Sequence, residues 1–429
     1  MNNLKMIFIR TTARLTLLYL QRTKILKTYY LTTNTMKITA RLALLLITII
    51  ITFNTTLVAQ NYKMIQAFSK SYEFEKNKDY TNSIAVLKEV YDSTSYEMNL
   101  RLGWLNYNAG FYKSALNYYQ NAVNKFPNSE EAKIGYNCPA FAIGNTESVI
   151  EQYTKILALN PNNTAVCYNM GLLYYNKADF KTAAKYFTKI IELYPFDYDG
   201  LIMAATVNYK LGNKQTAKDQ FDKVLLYSPN DKTAKEGISQ LGIDDKKNEA
   251  LITAFDKSYN FSQKSDYTSA INVLKLIYDK TSYEINLRLG YLNYLAGLNK
   301  ESMDYYKLAI ELQPKALEPR FGYVYPAAAF GQTNELINQY NSILQIDSQN
   351  TIANYRQGYI CFQKKDYSSA YSYFKKVVNL YPFSYDGVIM LAKSSLQLGN
   401  KAEAKTLFNQ VLLLSSTDKD ALEALTAMK

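Results

Sequence analysis

The sequence predicts an all-α solenoid of about ten helix-turn-helix repeats, arranged in two homologous blocks. Three observations support this prediction. Glycine and proline are scarce, at 16 and 9 of 429 residues, which disfavours a turn-rich β architecture. The chain matches itself when residue 64 is aligned with residue 251, and each copy has a shorter internal period of its own. A content of 48% hydrophobic and 20% charged residues is typical of a folded chain.

The longer period defines the two blocks. "TSYEMNLRLGWLNY" at residues 94–107 returns as "TSYEINLRLGYLNY" at residues 281–294. The match continues without any insertion, so we predict a first block at residues 64–242 and a second block at residues 251–429. Residues 243–250 form the linker between them.

The shorter period sets small, aromatic and proline residues at fixed offsets. We expect the small residues to let two antiparallel helices approach closely, and the aromatic residue to fill the gap to the next pair. Proline begins the turn after the second helix because it cannot continue a helix. The slots in the repeat at residue 164 and in the next repeat are Gly171, Ala183, Phe187 and Pro195, then Ala205, Ala217, Phe221 and Pro229.

This pattern resembles the tetratricopeptide repeat (TPR) family, whose unit is a helix-turn-helix of about 34 residues. The resemblance covers about residues 64–418 and implies a right-handed superhelix with five repeats per block. Residues 232–242 and 419–429 are predicted to be the capping helices that such arrays need at their ends. The repeats begin near residues 64, 96, 130, 164 and 198, then 251, 283, 317, 351 and 385.

Residues 36–59 have the layout of a secretory signal peptide. Lys37 and Arg41 precede an apolar stretch at residues 42–53, and Ala59 is the small residue before the expected cleavage site. The apolar stretch is short for a membrane span, which needs about 20 residues. We therefore expect an exported protein.

Residues 1–35 fit poorly in front of a signal peptide. We expect translation to begin at Met36 and these residues to be a mis-assigned extension, with a basic targeting presequence as the alternative. Residues 1–60 carry eight basic residues and no acidic one, so they account for most of the net charge of +12. The remaining 41 basic and 37 acidic residues are too balanced for a nucleic-acid partner.

The sequence lacks the residues of common catalytic sites. It has no histidine, and its three cysteines have no CxxC spacing, so we expect no metal site, no cofactor and no disulfide framework. No nucleotide-binding or hydrolase motif is present. We expect a non-enzyme. An envelope enzyme that acts through carboxylates on sugars is a less favoured alternative.

The family resemblance implies that the first helix of each repeat lines a concave groove. Aromatic side chains at these positions suit the binding of an extended or helical segment of a partner protein, although they also suit packing within the superhelix. Some relatives grip a terminal carboxylate with a lysine and an asparagine, but this sequence has Leu100 and Trp104 at those positions, and Leu287 and Tyr291 in the second block. That type of clamp is therefore not expected. The candidate partner-binding residues are Trp104, Tyr107, Tyr168, Tyr175, Tyr209, Tyr291, Tyr294, Phe321, Tyr325, Tyr355, Tyr359 and Phe362.

Pro139 and Pro326 fall inside the first helix of the third repeat of each block. A proline at such a position kinks or ends a helix. The simpler interpretation is a tolerated kink, and the sharper hypothesis is a pocket that the kink opens near Cys138 and Tyr325.

The strings "YPFDYDG" at residues 194–200 and "YPFSYDG" at residues 381–387 are interpreted as joints between the fourth and fifth repeats. Their prolines hold the turn, and Asp199 and Asp386 lie in the first turn of the next helix, where negative charge is favourable. The alternative is that Tyr198 and Tyr385 shape a ligand site.

The preferred function is a non-catalytic interaction scaffold or adaptor of the cell envelope, with no small-molecule substrate indicated. The alternative is a membrane-tethered adaptor or receptor in which residues 1–58 are retained as an anchor. A composition rich in Lys, Asn, Ile and Tyr, and a leader ending in "VAQ", are typical of exported proteins of Bacteroidetes-type bacteria. This similarity suggests a periplasmic or outer-membrane-associated location in a Gram-negative bacterium.

Overall fold

A computed structural model describes Thr39, residues 60–242 and residues 248–428. The chain divides into two compact units, Met1–Ala67 and Phe68–Lys429. In the first unit, Thr39 and residues 60–67 are helical. The predicted signal peptide lies, apart from Thr39, outside the described residues. No helix in the described part of the chain is long and apolar enough to cross a membrane.

In its described residues the second unit consists of helices joined by turns, without a strand, which confirms the predicted fold class. In the first block the helices are α1 (68–76), α2 (Tyr80–Lys88), α3 (Tyr96–Asn108), α4 (Tyr112–Lys125), α5 (Glu130–Ala142), α6 (Thr146–Leu159), α7 (Thr164–Asn176), α8 (Phe180–Leu193), α9 (Tyr198–Lys210), α10 (Lys214–Tyr227) and α11 (Lys232–Leu241). In the second block they are α12 (Glu249–Gln263), α13 (Tyr267–Lys275), α14 (Tyr283–Leu295), α15 (Asn299–Leu312), α16 (Glu318–Ala329), α17 (Thr333–Ile346), α18 (Thr351–Gln363), α19 (Tyr367–Leu380), α20 (Tyr385–Gln397), α21 (Lys401–Leu414) and α22 (Lys419–Ala427).

Consecutive helices form antiparallel hairpins in which the small and aromatic slots meet. Ala183 and Phe187 are fully buried, as are Ala115 and Ala370 in other repeats. A Cβ atom placed on Gly171 would lie 2.6 Å from the ring of Phe187, so only glycine lets α7 approach α8 this closely. The core that the shorter period predicts is confirmed at these slots.

The turns between and within hairpins use the local chemistry that the sequence predicts. Pro195 occupies the turn after α8, and the Asp197 carboxylate accepts a hydrogen bond from the Gly200 amide at 2.7 Å, capping α9. Asp199 and Asp386 lie in the first turns of α9 and α20, as predicted.

Both internal prolines lie inside continuous helices. The helix containing Pro139 ends at Ala142, and the helix containing Pro326 ends at Ala329, so each proline lies in the last turn of its helix. A proline near the end of a helix removes one of the last backbone hydrogen bonds, so the helix tolerates it. The kink itself stays a prediction. Neither of the two cavities described below is lined by Cys138 or Tyr325.

The two blocks pack together where α10 contacts α12. They also contact each other at the turns that precede α9 and α20, and we call this second contact the seam. The Phe196 amide donates to the Glu318 carboxylate at 3.1 Å, and the Phe383 amide donates to the Glu131 carboxylate at 3.1 Å. Phe383 is the counterpart of Phe196 in the second block, and Glu318 is the counterpart of Glu131. Each pair therefore joins the same two positions, with the blocks exchanged. The contacts are therefore related by exchange of the two blocks, as in a two-fold interface.

Aromatic rings repeat this exchange relation across the seam. The rings of Phe196 and Phe255 lie 6.1 Å apart, and those of Phe383 and Phe68 also lie 6.1 Å apart, both edge to face. The two "YPF" strings thus hold the turns, as predicted, and also join the blocks, which the sequence did not predict. That the blocks arose by duplication stays a prediction, because matched contacts describe the present fold only.

Burial in the seam changes the protonation of Glu318. Burial raises its pKa to about 7, against the opposing effect of the hydrogen bond from the Phe196 amide. Burial also raises the pKa of Glu131. Since a raised carboxyl pKa favours the protonated native state, the stability that Glu318 contributes is present below about pH 4.5 and is lost as the pH rises through about 7.

Replacing Gly171 by alanine should destabilise the protein. Alanine is favoured over glycine in a helix by about 1 kcal/mol, but the added methyl would overlap the Phe187 ring, and overpacking costs about 1–3 kcal/mol. We expect a lower urea midpoint. In the Phe187→Leu background the smaller side chain should remove much of the loss. An equal loss in both backgrounds would contradict the proposed contact.

Glu318→Gln should become more stable relative to wild type as the pH rises from 4.5 to 8. Glutamine mimics the protonated acid and keeps an acceptor for the Phe196 amide, so the relative gain should reach up to about 3 kcal/mol for a pKa change of this size. Urea unfolding across this pH range measures the difference. Parallel profiles for the two proteins would show that the seam does not perturb this carboxyl group.

Candidate functional site

The twelve predicted aromatic residues all lie on the first helices of hairpins, and none of them is fully buried. Four are well exposed, namely Trp104 at 44%, Tyr291 at 46%, Tyr325 at 60% and Tyr359 at 44%. The other eight are partly buried. The predicted surface is therefore accessible in part, while its partner-binding role stays a prediction.

The partly buried members also pack within their own hairpins. The Tyr168 ring lies 5.8 Å from Phe187, and the Tyr355 ring lies 5.6 Å from Phe374, both edge to face. Tyr168 and Tyr355 are equivalent residues of the two blocks, so this packing repeats between them. These tyrosines pack one side of the ring against the hairpin core, so the packing interpretation holds for them, while their partner-binding role stays a prediction.

A few members contact one another. Trp104 and Tyr107 lie 6.4 Å apart on one helix, and Tyr294 lies 5.9 Å from Tyr325 across successive hairpins. The indole N–H of Trp104 also donates to the Glu75 carboxylate at 2.5 Å. The described residues thus form several local aromatic pairs.

One cavity, the Tyr355 cavity, lies between α18, α19 and α20 and has a volume of about 380 Å³. Tyr355 is a predicted site residue, and the cavity also contains the opposite charges of Arg356 and Asp386. Burial and the negative charge of Asp386 raise the pKa of the Tyr355 phenol. The remaining lining residues are Thr351, Ile352, Val377, Tyr381, Ser384 and Gly387. Such a mixture can hold an apolar side chain beside a polar group.

A second cavity, the Arg288 cavity, has a volume of about 240 Å³ and adjoins the seam through Phe196 and Glu318. Of its lining residues only Tyr291 belongs to the predicted set. Burial lowers the pKa of Arg288 and raises that of Tyr259 to about 12. The lining residues are Phe196, Tyr227, Tyr259, Leu287, Arg288, Tyr291, Tyr306 and Glu318.

Sequence reasoning missed Arg288 and Glu318. A signal for the arginine was present, because "LRLG" places a charged residue inside an apolar helical segment in both blocks. Such a residue is rarely buried without a partner. Glu318 gave no comparable signal, since an acidic residue in the first turn of a helix is common for local reasons.

The described residues contain no group of three or more metal-ligating side chains. The three cysteines, Cys138, Cys167 and Cys361, are free thiols. The thiols therefore form no disulfide in this fold.

The hairpin array defines the chain as an α-solenoid protein, and comparison with protein families gives the repeat its name. Four segments match family models of the tetratricopeptide repeat, so the chain contains tetratricopeptide repeats, as the sequence predicted. Proteins of this repeat are typically non-catalytic and generally serve as protein-interaction scaffolds. The matched residues are 98–129, 164–197, 283–315 and 352–384.

Curated relatives are distant. A TPR repeat-containing protein of Methanocaldococcus jannaschii is 22% identical over 63% of this chain and 41% of its own length. A BBSome complex member of Bos taurus is 21% identical over 65% of this chain and 50% of its own length. The chain thus spans half or less of the length of these relatives.

Comparison with solved structures gives matches that include a tetratricopeptide repeat protein from Parabacteroides merdae. It is 16% identical, with 62% of this chain and 99% of that chain covered and a TM-score of 0.38. A structure of the MamA protein is 18% identical, with 41% and 92% covered and a TM-score of 0.34.

Proposed function

We propose that the protein is a non-catalytic scaffold that binds a segment of a partner protein along the first helices of its repeats. The observation that carries this proposal is the half-exposed state of four large aromatic side chains, Trp104, Tyr291, Tyr325 and Tyr359. Large exposed aromatics are costly in water and are enriched at the centres of protein interfaces. Tetratricopeptide repeats generally serve this purpose.

The lining of the Tyr355 cavity favours an extended or helical segment of a partner that carries a polar group beside an apolar side chain. Ile352, which is 59% exposed, lines the cavity together with Arg356 and Asp386. An apolar side chain of the partner would bury against Ile352 and Tyr355, while a polar neighbour would pair with either charge. Tyr359 on the same helix extends the apolar surface.

We also propose that the scaffold is exported to the cell envelope of a Gram-negative bacterium. The signal-peptide layout of residues 36–59 supports this location. A membrane-tethered adaptor is the second candidate, because the apolar stretch at residues 42–53 would serve as an anchor if it were retained.

A photo-crosslinking residue at Tyr359 should capture a specific partner in native cells. The matched control is the same residue at Lys185, which is exposed on the second helix of a hairpin. We expect one protein, identified by mass spectrometry, to be captured at position 359 and not at position 185. Binding of that purified protein should weaken at least tenfold with Tyr359→Ala and Trp104→Ala. Equal capture at both positions, or none, would rule out binding through the aromatic residues.

The amino-terminal residue of the protein purified from the same cells tests the location. We expect it to be Gln60, in a soluble periplasmic or outer-membrane fraction, because cleavage should follow Ala59. A protein that begins at or before Met36 and stays with membranes after a carbonate wash would favour the tethered adaptor instead.

A further inference from the structure

Arg288 is a buried cation without an acidic partner in the described part of the chain. Its side chain is 7% exposed, and its guanidinium carbon stacks 3.9 Å from the centre of the Tyr259 ring. One terminal nitrogen donates to the Ser262 hydroxyl at 2.8 Å and to the Ser258 carbonyl at 3.4 Å. Its Nε has no hydrogen-bond partner among the described residues. A buried charge left in this state is costly.

The equivalent arginine of the first block has an acidic partner. Arg101 stacks 3.9 Å from the centre of the Tyr72 ring, as Arg288 does on Tyr259. Its Nη1 pairs with the Glu75 carboxylate at 2.5 Å, and the indole N–H of Trp104 donates to the other oxygen of the same carboxylate at 2.5 Å. The first block therefore shows a carboxylate held by two donors beside a stacked guanidinium.

The second block keeps the arginine and the stacking tyrosine but changes the acid and the second donor. At the equivalent positions of the second block, Glu75 is replaced by Ser262 and Trp104 by Tyr291. Both replacements are smaller side chains. Of these residues, Tyr259, Arg288 and Tyr291 line the Arg288 cavity, whereas Ser262 is not part of its lining.

We propose that the Arg288 cavity binds a small organic carboxylate with an aromatic or aliphatic body. The ligand carboxylate takes the position that the Glu75 carboxylate has in the first block, against the Arg288 guanidinium, with the Tyr291 hydroxyl as second donor. The apolar body lies against the aromatic walls. A volume of about 240 Å³ restricts the ligand to a compact molecule or to the last residue of a peptide.

Glu318 also lines this cavity, so its charge must be compatible with an anion. Its carboxylate accepts the Phe196 amide at 3.1 Å, and burial raises its pKa to about 7. Below that pH most of the group is neutral and does not repel a carboxylate. The aromatic walls alone would also suit an organic cation, but the Arg288 guanidinium already stacks on them and would repel it.

Calorimetric titration of the protein at pH 6 tests whether the cavity prefers a negative charge. The three probes share a phenyl ring on a short carbon chain and differ in the charge of the polar group. Phenylacetate should bind with a stoichiometry of one. Phenylacetamide, which is neutral, and 2-phenylethylamine, which is cationic, should bind at least tenfold more weakly. Equal binding of the amide, tighter binding of the amine, or no binding of phenylacetate would overturn the proposal.

Two variants of Ser262 separate binding from folding. Ser262→Glu supplies the second block with the acid of the first block, so it should abolish phenylacetate binding and raise the thermal midpoint. Ser262→Gln introduces a side chain of the same size as glutamate but without its charge. It should therefore not raise the thermal midpoint as Ser262→Glu does. If Ser262→Glu bound phenylacetate like wild type, or failed to exceed Ser262→Gln in stability, the comparison of the blocks would not hold.

The reciprocal variant and a peptide probe complete the experiment. Glu75→Ser should create a second site at Arg101 and raise the stoichiometry to two, and a value that stays at one would overturn the equivalence of the two sites. The peptide Gly-Gly-Phe with a free carboxyl end tests the source of the carboxylate. Binding as tight as that of phenylacetate indicates a chain end, and weaker binding indicates a free organic acid.

Discussion

The rest of the structure depends on the close approach of two helices over one aromatic ring, as in the hairpins that contain Gly171 and Gly358. A side chain at Gly171 or Gly358 would overlap Phe187 or Phe374, so the small residue and the ring fix how deeply the hairpin closes. A closed hairpin still has an apolar face that it cannot bury alone, and stacking the hairpins buries it. In the stacked array the first helices still expose Trp104, Tyr291, Tyr325 and Tyr359 to solvent.

The seam adds a constraint that a simple array lacks. Two carboxyl groups, those of Glu131 and Glu318, are buried in the seam and accept hydrogen bonds from the backbone amides of Phe383 and Phe196. These hydrogen bonds offset part of the cost of burying the two polar groups. The Arg288 cavity is lined by Glu318 itself. A ligand in that cavity therefore touches the contact between the blocks, and binding and seam stability are physically linked.

The two blocks share one architecture but differ in their chemistry at chosen positions. The Gly171 and Phe187 slots of the hairpin and the Phe196 and Glu131 positions of the seam hold the same residue types in both blocks, whereas Ser262 stands in place of Glu75 and Leu317 in place of Glu130. In the first block Glu75 neutralises Arg101, and Glu130 accepts the Tyr381 hydroxyl at 2.9 Å. These differences give otherwise equivalent positions of the two blocks different charge and hydrogen-bonding groups.

The sequence by itself determined the helices, the hairpin core and the turns at Pro195 and Asp199, because those features depend on residues within one or two repeats and leave a period. Only the tertiary structure decided the seam, since its partners Phe383 and Glu131 lie far apart in the chain and no period links them. It also decided which aromatics are exposed. Tyr355 and Tyr359 lie one turn apart on the same helix, yet Tyr355 packs on a second-helix ring while Tyr359 is half exposed.

The partner of Arg101 and its change at Arg288 likewise appeared only once helices from different hairpins were in contact. The sequence shows that both blocks keep the arginine, but a repeat period says nothing about which side chain of another helix faces it. That pairing depends on how the hairpins stack, because Glu75 and Arg101 lie on helices of successive hairpins. The period therefore fixed where the charge lies along its helix, and the packing decided whether the charge is neutralised.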